Sequence, residues 1–284
     1  MHEPALRAAA FGSDPLPDPA AVRGAGSPRE RLLAAIVLGA QGRYAAAATL
    51  LDALRHDSDP VVASLAASTL ASHRRQLGGH RQARALDGEA FAKAAHLDTQ
   101  QDPDGLDAAG ARADALLGLA ADNLALGRLA AARRLAARAG TGAAGWRAGV
   151  RGGWVGAEIA LAAGQGADAV PHAERALETA LARGARRHAV KSRIVLAVAL
   201  RAAGAPDHRK ISDDLVGNAM AAAEECELLS LSWPAALVAA DLRPGHAEEY
   251  RFRVAQVLHA VLRSADPCGR RVAGESPWVP VPGG

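Results

Sequence analysis

Residues 27–60, SPRERLLAAIVLGAQGRYAAAATLLDALRHDSDP, decide the fold. Ser27 offers an N-cap, Pro28 suits the first helical position, and Glu30 stands where a capping box places its carboxylate. The apolar run RERLLAAIVLGAQ then reads as a helix. Gly42-Arg43-Tyr44 interrupts it, AAAATLLDALRH reads as a second helix, and Asp59-Pro60 closes the pair.

The same helix–turn–helix unit recurs along the chain. Its turn glycines are Gly42, Gly78, Gly127, Gly164 and Gly204, at intervals of 36, 49, 37 and 40 residues. Seven residues before each glycine stand Ala35, Ala71, Ala120, Ala157 and Ala197. Five residues after it stand Ala47, Ala83, Ala132 and Ala169, with Arg209 breaking the series. Small side chains on both sides of a turn let two antiparallel helices approach closely. A fixed register of this kind is the mark of an internal repeat.

The stretch from Leu32 to Pro60 resembles a tetratricopeptide repeat. It has the small residue of the first helix (Ala35), the Gly-Arg-Tyr turn, the small residue of the second helix (Ala47), the large apolar Leu51 and Leu54, and the closing Pro60. The units at Gly78, Gly127 and Gly164 resemble it more loosely, in the manner of the irregular repeats of bacterial regulatory proteins. The resemblance covers residues 28–204. It implies an all-α, right-handed superhelix of about five antiparallel helical hairpins, a solenoid whose first helices line a concave surface.

Composition points the same way. Half of the residues are apolar but only 3% are aromatic, so much of the apolar content is alanine. Alanine is the best helix former and fills little volume, which suits helices packed at close range. Residues 1–27, rich in Pro, Gly and Ala, read as a disordered leader. Residues 205–265 read as a degenerate last hairpin and capping helices, with Phe252, Val254, Ala255, Val257, Leu258, Val261 and Leu262 on one stripe of the final helix. Residues 266–284 read as an extended Pro/Gly-rich tail, whose Trp278 folds back onto the body or forms a short recognition motif.

Several chemistries are set aside by pattern. Basic and acidic residues number 33 and 30, without the one-signed excess of a dedicated nucleic-acid binder. Gly140–Gly145 and Gly164–Ala169 match dinucleotide-loop spacing, but each follows a helical run rather than a strand and reads as a turn. The ten histidines form no metal motif and read as exposed structural residues, and Cys226 follows two glutamates that disfavour a thiolate. No catalytic, cofactor-binding or metal-binding residue is assigned, so the chain reads as a non-enzyme without cofactors. Two cysteines without CxxC spacing, a start unlike a signal peptide and the lack of a long apolar window place it in the cytoplasm, away from membranes.

The resemblance directs attention to the stripe of each first helix that faces the concave side. Counted back from the turn glycines, this stripe carries Arg75, Asp114, Arg151, Trp154, Glu158, Lys191 and Arg201. An aromatic flanked by charges suits capture of a peptide or helix of a partner protein, with Trp154 as anchor. The competing reading is that Trp154 packs between helices and the charges are solvated. Leu32, Ile36 and Ser68 do not match the Lys and Asn clamp of chaperone-binding tetratricopeptide domains. The leading function is a protein-interaction scaffold or regulator. The alternatives are nucleic-acid binding through Arg183, Arg186, Arg187, Lys191 and Arg193, and a small-ligand sensor or enzyme.

Overall fold

The computed structural model describes residues 2–140 and 145–280. Among these residues there are fifteen α-helices and no strand. α1 (Glu3–Phe11) and α2 (Pro19–Arg23) precede the paired helices α3 (Pro28–Ala40) and α4 (Tyr44–Leu54), α5 (Pro60–Gln76) and α6 (His80–Ala94), α7 (Ala108–Ala125) and α8 (Leu129–Gly140). The pairs α9 (Trp146–Ala162) and α10 (Gly166–Ala182), α11 (Arg186–Ala203) and α12 (His208–Glu225) follow. α13 (Leu229–Leu242), α14 (Ala247–Arg263) and α15 (Pro267–Glu275) complete the chain. No described helix is long and apolar enough to cross a membrane.

Local signals set the helix ends. The Ser27 hydroxyl accepts from the Glu30 N–H, and the Glu30 carboxylate accepts from the N–H groups of Ser27, Gly26 and His2. These three donors hold the Glu30 carboxyl down at about 2. Asp59, Asp107 and Asp266 cap α5, α7 and α15 in the same way. The five marker glycines all lie in the left-handed region, with φ between 73° and 76°. A side chain there would be strained, so glycine fixes where each first helix ends.

From α3 to α14 every helix packs on the next. All nine marker alanines, from Ala35 to Ala197, have no exposed surface. The break at Arg209 is a loop insertion. α12 buries Ser212, Val216, Ala219 and Ala223 at the same four–three–four spacing as Ala169, Ala173, Ala176 and Ala180 of α10. Ser212 therefore takes the seam position, and Arg209 is exposed at the start of α12.

The helices α3, α5, α7, α9, α11 and α13 also touch one another in that order, and α13 returns to α3. The two ends of the chain meet this series. The Ala45 N–H donates to the Ser264 carbonyl at 2.8 Å, and Arg74 of α5 forms a bidentate pair with Asp266 ahead of α15 at 2.6 Å on both sides. Val272 of α15 and Val279 share an apolar cluster with Tyr44 and Leu77.

Three sequence expectations are corrected here. The leader expected to be disordered carries α1, whose Leu6, Ala9, Ala10 and Phe11 are buried in one core with Leu33, Leu65 and Leu106. Arg7 ties α1 to the loop before α7, pairing with Asp102 at 2.7 Å and Asp104 at 2.8 Å. The tail expected to be extended begins with α15, because Asp266 and Pro267 start a helix that then finds an apolar seat. Phe252 leaves the α14 stripe and is 66% exposed, since it lies half a turn away from Val254, Leu258 and Val261.

Truncating Leu6 tests the seating of α1. Leu6→Ala should lower unfolding stability by about 2–5 kcal/mol in urea titrations, as for other fully buried leucines. A change near zero would show that residues 3–11 do not belong to the core.

Candidate functional site

The returning series of inner helices surrounds a cavity of about 860 Å³. Its wall uses the C-terminal halves of α3 and α5, most of α7 and α9, and the first turns of α11 and α13. The N-terminal halves of α3 and α5 take no part, and α1 packs on α3 and α11 at this end. The cavity therefore ends on Phe11, which forms its floor. Trp278 lies on the wall as well and is 60% exposed.

Of the seven residues expected on the concave stripe, Arg75, Asp114, Arg151, Trp154, Glu158 and Lys191 line this cavity. Arg201 does not. It sits in the last turn of α11, whereas only the first turns of that helix reach the cavity. The basic stretch considered for nucleic acid is divided in the same way. Arg187 and Lys191 face the cavity, while Arg186 pairs with Glu225 at 2.9 Å.

Trp154 satisfies both readings offered for it. It packs between α9 and α11, its indole N–H donating to the buried Ser192 hydroxyl at 2.8 Å, and still presents a face to the cavity. Lys191 Nζ stands 4.6 Å from the centre of that ring and 3.9 Å from Glu158. Burial lowers the Lys191 pKa. The ammonium thus rests on an aromatic face with one loose carboxylate partner.

Two compact charge clusters flank this pair. In one, Asp114 accepts from both Arg147 and Arg151, and these two cations hold its carboxyl below the usual range despite burial. In the other, Arg75 donates to Asp122 at 2.8 Å and to Asp87, and His80 Nδ1 lies 3.1 Å from Asp122. Burial pushes the Asp87 carboxyl up to about 7. Asp87 reaches Arg75 across Gly118, where an added Cβ would stand about 2.1 Å from the carboxylate. Glycine at that position is what admits a charged group into the α6–α7 seam.

Sequence reasoning missed several wall residues. His73 and His188 were read as exposed and are buried, and the Nδ1 of each has no partner among the described residues. Desolvation pulls His73 down to about 3 and His188 well below its usual value, with nearby arginines adding to the effect. His188 stacks on Trp154 at 5.7 Å and meets the edge of Trp146 at 5.0 Å. Arg147, one helical turn before Arg151, lies 4.6 Å over the Phe11 ring. Its spacing to Arg151 was visible in the sequence, whereas nothing there distinguished two histidines among ten. Of the two glycine motifs, residues 164–169 run from the expected α9–α10 turn into the first turn of α10. The other runs through residues 141–144, which lie outside the described residues.

Neither a family model nor a curated protein matches this chain.

The two buried histidines generate a pH prediction. Each has a folded pKa below its unfolded value of about 6.5, so the unfolded state binds protons that the folded state refuses. Stability should fall as pH drops below about 6.5, with a slope approaching two protons per molecule from this pair. Urea unfolding at pH 7, 6 and 5 measures it, and His73→Gln with His188→Gln should flatten the slope. An unchanged slope would refute the assignment.

Proposed function

We propose that the chain is a tetratricopeptide-type scaffold or regulator, without enzymatic activity, that takes a short extended segment of a partner protein into its central cavity. The observation that carries this reading is the cavity itself. It has the size of pockets that enclose a ligand, apolar walls, and a few convergent charges around one aromatic anchor. On this reading the six helix pairs from α3/α4 to α13/α14 form the repeats of a right-handed superhelix, one more pair than the marker glycines indicate. The inner helices supply the concave surface. Support comes from the buried alanine register and from the six stripe residues on the cavity wall.

The volume narrows the class of ligand. A helix with side chains is about 10–12 Å across, so about two turns would fill the cavity. An extended segment fits it with side chains reaching the separate subsites at Trp154, Arg75 and Arg151. A nucleic-acid role is less well supported, because the basic stretch of α11 is split between the cavity and the outer surface. Free thiols at Cys226 and Cys268 suit the cytoplasmic setting expected from the sequence.

Affinity capture from native cytosol tests the reading. The double variant Trp154→Ala, Arg151→Ala should lose the captured partner by about tenfold or more, as removal of an aromatic anchor does. Lys93→Ala, on α6 outside the cavity wall, serves as the control. Identical captured sets for the double variant and the parent would refute the cavity as the binding surface.

A further inference from the structure

The charges at the cavity floor are not balanced. Asp114 serves both Arg147 and Arg151, and Arg147 also donates to the Asp104 carbonyl at 2.8 Å. Arg187, in the first turn of α11, lines the same region, and among the described residues it has no hydrogen bond or ion pair. Among the described residues the carboxylate that acts on it is Asp114, already shared by two arginines, and burial next to Arg147 and Arg151 lowers the Arg187 pKa to about 10. Three guanidinium groups thus face one carboxylate. Holding like charges together away from bulk water is costly, and an incoming anion relieves it.

The surroundings specify the anion. The neutral imidazoles of His73 and His188 line the same cavity, and the Nδ1 of each is out of solvent contact and unpartnered among the described residues. These rings therefore add no charge to the wall. The wall also presents apolar side chains, Ile36, Leu117, Ala121, Leu124 and Leu231. Removal from water costs a dianion far more than a monoanion, and Asp114 stays ionised and offsets part of the guanidinium charge, which favours a carboxylate over a phosphate. Phe11 of α1 lines the cavity beneath Arg147, so a chain end can stop against it while the rest of a segment lies along the wall.

We propose that the floor of the cavity is a carboxylate site, in which Arg187 and Arg151 take the carboxylate of a ligand whose apolar body lies along the Ile36–Leu117–Leu124 wall. This rests on the reading of the cavity as the ligand site and names the group that it recognises. The carboxylate comes from the free C-terminus of a partner chain with apolar last residues, or from an organic acid of similar shape.

Calorimetric titration of the full chain separates the possibilities. The probes are a hexapeptide library with apolar residues in the last three positions, as free acid and as C-terminal amide, together with octanoate and octanamide. The free-acid peptides should bind about tenfold or more tightly than the amides. Arg187→Gln should abolish that preference and leave amide binding unchanged, while Arg187→Lys should restore part of it. Arg187→Gln should also melt at or above the temperature of the parent, because it removes an unpaired cation, and this confirms that the variant folds. Equal binding of acid and amide peptides would overturn the carboxylate site while leaving the segment-binding reading in place. Octanoate preferred over octanamide, with both peptide sets silent, would keep the site and overturn the segment reading. Silence of every probe at millimolar concentration, or an acid preference that survives Arg187→Gln, would overturn the site.

Discussion

Close approach of helices across alanine seams is the constraint on which the rest of the structure depends. Nine alanines at fixed distances from the turn glycines have no exposed surface, so paired helices meet nearly backbone to backbone. The same choice of small residues leaves the centre unfilled. The inward positions Gly39, Ala40, Ser68, Ser72, Ala121 and Ala125 are too short to meet across the space that six inner helices surround. A cavity follows from tight seams and short inward side chains together, where a leucine-rich interior would have closed it.

A cavity of this kind changes the behaviour of charges. At Asp114 one carboxylate answers two arginines, with Arg187 unpaired beside them, whereas at Arg75 one guanidinium answers two carboxylates. One region of the wall thus carries surplus positive charge, whereas the Asp87 and Asp122 carboxylates lie behind the wall, out of solvent contact. In low dielectric such offsets are felt more strongly than on the surface. Charge on the wall is consequently uneven, concentrated where Arg147, Arg151 and Arg187 gather. Lys191 over Trp154 lines the same wall.

The chain ends turn the packed helices into a site with a floor. α1 is short and by propensity alone would be marginal, since a nine-residue helix in water does not repay its nucleation. Its order comes from burial of Leu6 and Phe11 and from the pairing of Arg7 with the loop before α7. That explains why a Pro/Gly/Ala-rich leader looked structureless in isolation. α15 follows the same logic at the other end, where Asp266 both caps the helix and holds Arg74.

The sequence by itself determined the helical class, the turn positions and the seams. These depend on interactions within a few residues: left-handed glycines, capping aspartates, and alanines set four or three apart. It also showed most of the inward stripe, because helix periodicity carries that information without knowledge of neighbours. Only the tertiary structure decided that α13 returns to α3, that α1 closes the floor, and that Arg201 and Arg187 exchange importance. It also decided that two histidines lose their solvent. Those facts depend on residues far apart in the chain meeting in space, as with Arg7 and Asp102 or Asp114 and Arg151. No local pattern of residue types encodes which distant charge will stand opposite another.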